Sequence, residues 1–471
     1  YMSLNRLTRL LALILCCGCF FTLHGQPPKR EQIDLNGTWE FRLDPNSAGE
    51  AGGWASGRER FAESIRVPGA WQAQGFGKPS GVLRHDYSGK AWYRREIAVP
   101  GSWKGRSISL RVGGVLRRAK FFVNGEAAGE HDGFSTPFSI DVTKHIHPGA
   151  TNTLVFLVEN PANPIEESPD KQKATEPTGM INYIGNWGGI YGKVELEATS
   201  PAWMDEVSIA PEIQNRQAHF KIKIRSAESG SPYPARVEAE VDQFRGSADV
   251  TVQPEGEAVA EFVVKMPGAR LWSPDAPHLY TAKLRLVIGG EERDLIGERF
   301  GMREITTNGN QLLLNGKPFY LRGFGDDNVE VLSGVPPASK EVYLERLRLA
   351  KSYGFNGVRF HSMTPVREYF EAADEAGILV MAELPASYTM YVLPHKQFLR
   401  KELERILRIH RNHPSFLSLA FGNEFNLGWL PDEARRTEFL ETVSDFYGLA
   451  KSIDPHRLIL SNDGYVMRPT D

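Results

Sequence analysis

The apolar positions of the chain change period as the sequence proceeds, and the changes divide it into three stretches. From Ile33 to about Thr199, apolar and polar residues alternate near period two in short runs at 92–97, 107–112, 119–123 and 154–158. The runs are rich in β-branched and aromatic side chains, which predicts strands. Asn124-Gly125 between two of them is a strong hairpin signal. Many short strands and no long helical period imply a jelly-roll sandwich. From Pro201 to about Arg303 the alternation continues at 218–224, 236–241, 258–264 and 280–287, over about 100 residues without a cysteine. That pattern fits an immunoglobulin-like sandwich lacking a disulfide.

After Asn315-Gly316-Lys317-Pro318 the pattern becomes strand–helix. Apolar runs at 319–324, 357–361, 378–384, 416–422 and 458–461 alternate with helical segments at 343–353, 365–376 and 397–410. Gly377 closes the second helix as a C-cap. In the third, Leu399, Leu403, Ile406 and Leu407 mark one buried face. Alternating β and α with fully apolar strands predicts a parallel (β/α) barrel. A closed barrel needs about eight strands and roughly 250 residues, whereas Glu304 to Asp471 is 168 residues with five strands. The expectation is an incomplete barrel in a truncated polypeptide. The domain boundaries expected are 1–25 (signal peptide), 30–200 (jelly roll), 201–303 (immunoglobulin-like) and 304–471 (the first five barrel strands).

Composition narrows the partners. With 41% apolar and 24% charged residues and a net charge of −3, the chain is globular. It has no basic run that would suit a nucleic acid. Near the N-terminus, Arg6 and Arg9 precede Leu10-Leu11-Ala12-Leu13-Ile14-Leu15, an apolar core too short to span a bilayer. This predicts an export signal, with the protein periplasmic, extracellular or lipid-anchored. The three cysteines, Cys16, Cys17 and Cys19, lie at its end. One reading makes Cys19, after Gly18, a lipid attachment site. The other makes the cysteines apolar filler, with cleavage near His24-Gly25. In either case the body from about Gln26 onward has no cysteine and folds on core burial alone.

The chemistry concentrates in Arg411-Asn412-His413-Pro414-Ser415-Phe416-Leu417-Ser418-Leu419-Ala420-Phe421-Gly422-Asn423-Glu424. It reads as a helix end, a turn at Pro414, a strand covered on both faces, and an Asn-Glu pair where the strand stops. Barrels keep their catalytic groups at that end of their strands. Asn-His-Pro-Ser, a hydrophobic strand and Gly-Asn-Glu together resemble the acid/base motif of glycoside hydrolase family 2, which contains β-galactosidases, β-glucuronidases and β-mannosidases. Leu419 stands where relatives commonly carry Trp. Asn36-Gly37-Thr38-Trp39, Val67-Pro68-Gly69-Ala70-Trp71, Phe121-Phe122-Val123-Asn124-Gly125 and Gly188-Gly189-Ile190-Tyr191 resemble the family's N-terminal sugar-binding domain. Trp39 and Trp92 themselves read as core residues. Leu271 to Tyr280 and Phe300-Gly301-Met302-Arg303 resemble the end of its middle domain, read here as a spacer. In the long loop before Trp187, Tyr183 occupies a position where relatives often have Asp.

By that resemblance Glu424 is the general acid/base and Asn423 contacts the sugar 2-hydroxyl. The nucleophile would be a Glu on a strand beyond Asp471. Other strand ends supply candidates for substrate binding. Arg359 and His361 share one strand face by period two; Arg359 reads equally as a substrate contact or as an ion pair holding carboxylates. Asn356-Gly357-Val358-Arg359 resembles a second family motif, with Ser362 at its usual His position. Glu383 matches a pocket-lining Glu, its usual Asp neighbour being Ala382. Asp326 and Asp327 end the first strand, either binding sugar hydroxyls through charge-assisted hydrogen bonds or forming a solvated Asx turn. No metal-ligand spacing is present, so no metal and no cofactor are expected. The resemblance implies a retaining exo-β-glycosidase acting on carbohydrate, with a β-galactoside as the first substrate guess and a β-glucuronide or β-mannoside behind it. A non-catalytic carbohydrate-binding protein with a shortened barrel is the alternative. The oligomeric state is left open.

Overall fold

The computed structural model describes residues 30–80, 84–134, 136–161, 187–327, 330 and 333–464. The expected signal peptide, the cysteines, Tyr183 and nearly all of the loop before Trp187 lie outside these residues. Among the described residues no helix is long and apolar enough to cross a membrane.

The first domain is a sandwich of antiparallel sheets. Its six-stranded sheet runs Glu126–Asp132, Arg118–Val123, Thr151–Asn160, Gly89–Ala98, Gly37–Asp44, Glu63–Val67. The facing four-stranded sheet runs Arg30–Asp34, Val194–Thr199, Ser107–Val112, Phe138–Asp141. Asn124 and Gly125 both adopt positive φ in the hairpin between Arg118–Val123 and Glu126–Asp132, as the Asn-Gly pair predicts. Trp39 and Trp92 are buried in this domain, Trp39 on Phe156 and Trp92 beside Trp54. A Cβ on Gly188 would lie 1.8 Å from the Trp71 ring, so only glycine lets that segment approach.

The second domain pairs a three-stranded sheet (Ala202–Glu212, Gln217–Ser226, Glu257–Lys265) with a four-stranded one (Phe244–Val252, Tyr233–Val241, Tyr280–Ile288, Glu291–Phe300). Their inner faces close over Phe220, Ile222, Val237, Leu284 and Leu286.

The third domain is a five-stranded parallel sheet in sequence order: β1 (Gly323–Asp326), β2 (Gly357–Phe360), β3 (Leu379–Glu383), β4 (Phe416–Ala420) and β5 (Leu458–Leu460). Helices α1 (Lys340–Ser352), α2 (Arg367–Ala376), α3 (Lys396–His410) and α4 (Glu433–Ile453) connect them and cover one face. Gly377 ends α2 at φ 73° as a left-handed cap. Leu399, Leu403, Ile406 and Leu407 of α3 are all buried.

The first barrel strand begins later than its apolar pattern suggests, at Gly323 rather than Phe319. The Asn356 side chain accepts from the backbone of Arg322 and donates to Tyr320 O, occupying groups a strand ladder would use. Phe319 and Leu321 pack instead on a small cluster with Trp272, Ile305 and Leu314 below the sheet.

The three domains are tightly joined. Ala70, Leu116, Phe134, Trp187 and Tyr191 of the first domain belong to the same core as the barrel helices. The middle domain does more than space its neighbours. Its Trp272 donates to Asp374 O at 3.0 Å, and Arg303 donates to the carbonyls of Pro414 and Phe416 at 2.9 and 2.7 Å.

Candidate active site

The site is built around the carboxyl end of β4, a strand buried at every position. Phe421 and Gly422 extend it, and Gly422 has no space for a side chain: a Cβ there would meet Phe425 at 2.4 Å and Ala386 O at 2.5 Å. The backbone then splays to pair with both neighbours. Asn423 N donates to Ala386 O at 2.9 Å, and Glu424 N donates to Asp463 O at 2.8 Å. Glu424 itself has φ 55°, a left-handed conformation uncommon for a residue with a side chain. Backbone outliers of this kind cluster at functional sites, where surrounding structure holds them.

Arg359 organises the polar groups beside that junction. From β2 its Nε donates to Glu383 Oε1 at 2.9 Å and to Asp463 Oδ2 at 2.7 Å, while Nη2 donates to Asn423 Oδ1 at 2.7 Å. The guanidinium thus fixes the Asn423 amide with its oxygen toward Arg359. Glu383, at the end of β3, is fully buried and also accepts from Ser362 N at 2.6 Å. Burial pushes its carboxyl up to about 7 against the pull of Arg359. Behind it, Ser387 donates to the Ser362 hydroxyl at 2.6 Å and Thr364 donates to Glu383 O at 2.9 Å. Every buried oxygen of Glu383 is therefore held.

His361, just after β2, lies near the Asn423 side chain and the Glu424 carboxylate; burial, and then Arg359, depress its basicity. Its Nδ1 is 3.6 Å from Asp327 Oδ1, so Asp327 reaches the rim of the group. Asp326 does not. It is paired with Phe360 in the β1–β2 ladder, so its side chain shares the face of Phe360, whose ring contacts Tyr369 of α2. There it hydrogen-bonds Tyr369 on the helix side of the sheet. The expectation that both aspartates bind sugar is corrected for Asp326 by this alternation. Adjacent strand residues cannot point the same way.

Glu424, Asn423, Arg359, Glu383 and His361 are thus brought together, with Asp327 at the edge. Asp463, two residues past Ser461 after β5, was not anticipated. It answers to the rule that picked out Asn423, a polar residue just beyond a strand's carboxyl end, applied one strand further on. Among the described residues no group of three or more His, Cys, Asp or Glu side chains is placed to hold a metal ion.

The Arg411–Ser415 half of the motif is occupied elsewhere. Asn412 accepts from Ile209 N at 2.9 Å and donates to Val207 O at 2.9 Å and Glu298 Oε1 at 2.8 Å, all in the middle domain. His413 Nδ1 meets Asp374 Oδ2 at 2.6 Å, and Ser415 N donates to Asp374 Oδ1 at 3.0 Å.

Comparison with known proteins agrees with this layout. A β-glucuronidase of Paenibacillus borealis is 26% identical over 91% of this chain and 72% of its own length. A β-glucuronidase of Streptococcus agalactiae is 25% identical over 74% of the chain and 59% of its own length. A β-galactosidase of Thermoanaerobacter pseudethanolicus is 26% identical over 66% of the chain and 41% of its own length. The chain therefore spans from about two fifths to under three quarters of these relatives. Among solved structures, Bacteroides uniformis β-glucuronidase 2, covalently bound to cyclophellitol-6-carboxylate aziridine, superposes with a TM-score of 0.75 at 21% identity, covering 92% of this chain and 52% of that one. A Ruminococcus gnavus β-glucuronidase in complex with D-glucaro-d-lactam superposes at 0.72 with 22% identity, over 91% and 71%. Family models match in succession: the sugar binding domain of glycosyl hydrolases family 2 over residues 33–196, the family 2 domain over 204–303, and its TIM barrel domain over 305–468. Together these matches span nearly the whole described chain, and the protein belongs to glycosyl hydrolases family 2.

Proposed function

We propose that the protein is a retaining exo-β-glycosidase in which Glu424 is the general acid/base, and that β-glucuronides are its substrates in preference to the β-galactosides first expected. The observation that carries the first part is the Arg359-held Asn423 beside Glu424 at the carboxyl end of a buried barrel strand. The relatives' names support the second, since β-glucuronidases outweigh β-galactosidases among them.

In this reading Glu424 protonates the glycosidic oxygen as it leaves, then removes a proton from the water that attacks the glycosyl-enzyme. Asn423 orients the 2-hydroxyl of the sugar. The nucleophile, a second carboxylate about 5–5.5 Å from the first in retaining enzymes, comes from a strand other than β1–β5. Arg359 is a positioning residue: its charge is committed to Glu383 and Asp463, so it orients Asn423 and does not neutralise a uronate carboxylate. Export, directed by the apolar stretch behind Arg6 and Arg9, completes the proposal and would place the enzyme among extracytoplasmic glycans.

A panel of aryl β-glucuronide, β-galactoside and β-mannoside tests it on the intact protein. The expected result is turnover with kcat/KM highest on the glucuronide. A higher kcat/KM on another sugar would correct the substrate, and binding without turnover of any would leave a carbohydrate-binding protein in place of an enzyme.

A further inference from the structure

Trp429 is the most exposed of the nine tryptophans, with 37% of its surface accessible. Its exposure is not the slack of a loose loop. It closes a short 3-10 turn, Leu427–Trp429, whose first residue Leu427 and following Leu430 are buried in the barrel core. Asn426 caps that turn, accepting from Gly428 N at 2.8 Å. The turn is also stitched to the loop after β3. Asn426 N donates to Thr389 Oγ1 at 2.6 Å, and the same hydroxyl donates to Asn426 O at 2.8 Å. On that second loop Tyr388 contacts the Trp429 ring edge-on, with centroids 5.6 Å apart. Tyr388 has φ 67°, and its N–H donates to Asn423 O at 2.8 Å. A non-glycine residue in that region is strained and persists only where its surroundings demand it. Tyr388 is therefore fixed to the backbone of the Asn423–Glu424 junction, and Trp429 leans on the Tyr388 ring.

An aromatic ring left partly accessible on a loop that follows the Asn423–Glu424 strand end offers a stacking surface for the apolar C–H face of a sugar or for an aryl ring. The role given to Glu424 decides which part of the substrate would use it. The acid must meet the oxygen of the leaving group, so the group beyond that oxygen lies on the Glu424 side of the site. We infer that Trp429, braced by Tyr388, is the platform for the leaving group, a pyranose or aryl ring, and sets preference for the aglycone. This rests on the acid/base reading of Glu424.

Two substrates sharing one sugar separate the ideas on the intact protein: a β-glycosyl fluoride, whose leaving group has no ring, and the matching aryl β-glycoside. Trp429→Ala is expected to lower kcat/KM on the aryl glycoside about tenfold, the equivalent of about 1.4 kcal/mol. The same variant should keep the fluoride within about twofold of wild type, and Trp429→Phe should restore most of the aryl activity. An equal loss on both substrates, or no loss on either, overturns the platform while leaving Glu424 in place. Wild-type protein that turns over neither substrate removes the glycosidase reading and this inference with it.

Discussion

The two ends of β4 are four residues apart and do opposite work. At its start, Arg303 and Arg457 both donate to Phe416 O, Asp374 ties down His413 and Ser415, and Asn412 grips the middle domain. These groups are buried or half-buried and paired with one another or with backbone; desolvation brings even the Arg303 guanidinium down to about 9. At its finish, Arg359 and Glu424 are partly accessible, backbone dihedrals are unusual at Ser362, Tyr388 and Glu424, and carboxylates converge on one guanidinium. One strand thus carries a structural end and a chemical end, the polarity expected of a barrel. A motif read as a single catalytic signature is two motifs placed back to back.

Substitutions can break that division. The largest effect is expected of Glu424→Ala at the chemical end, where kcat on substrates with poor leaving groups should fall about 10²–10⁴-fold with little change in Tm. A dinitrophenyl glycoside should be spared in its first step, and added azide should restore turnover. Uniform slowing without azide rescue would remove Glu424 from the acid/base role. At the structural end, Asp374→Ala should leave the Ser415 amide and His413 without partners and cost about 3 kcal/mol of stability, at 1–3 kcal/mol for each buried group. Denaturant unfolding measures it, and the surviving folded protein should keep its kcat. Loss of kcat at unchanged stability would erase the contrast between the two ends.

Arg359→Ala is expected to fall between the two. Freed from Arg359, Asn423 should orient the sugar poorly and kcat/KM should drop about tenfold. Stability should suffer less than for an ordinary buried ion pair, because Glu383 can take up a proton once its partner is gone. Activity within about twofold of wild type would place Arg359 outside the site. The smallest effect concerns pH. Glu383 titrates near 7 when folded against 4.5 in the unfolded chain, so the folded state binds more protons across that window. Its contribution to stability is full below pH 4.5 and is lost as the pH rises toward 7. Glu383→Gln should flatten that part of the Tm–pH curve; an unchanged slope would show that another group titrates there.

Much of this was legible in the sequence because the relevant signals are local. The period-two runs, the Asn-Gly hairpin, the α3 stripe of Leu399, Leu403, Ile406 and Leu407 and the Gly377 cap each depend on neighbours a few residues away. The Asn423–Glu424 pair was visible because it follows an unbroken apolar strand. Asp463 lies where the strand-end rule points, but its bond to Arg359 joins segments 104 residues apart, which no local pattern shows. Asp326 was misplaced because strand alternation needs a known register, and the first strand starts later than its apolar residues suggest. The partners of Asn412 and His413 are likewise set by docking between domains, which no single stretch encodes.

Helix α3 shows what that docking implies. One part of it is gripped by the first domain, through Glu402 with Phe134 N at 3.1 Å and Arg405 with Asp132 O at 2.7 Å. Its end is gripped by the second, through Arg408 and Arg411 with Glu206 at 3.1 and 2.5 Å. The number of residues between these grips is thus a ruler cut to length. Inserting one residue there would turn everything beyond it by about 100°, so both grips can no longer be made at once. The mismatch would be handed directly to β4 and, through it, to Glu424. Length variation in this family member should therefore be tolerated in surface hairpins and forbidden in a helix that contributes no atom to the site.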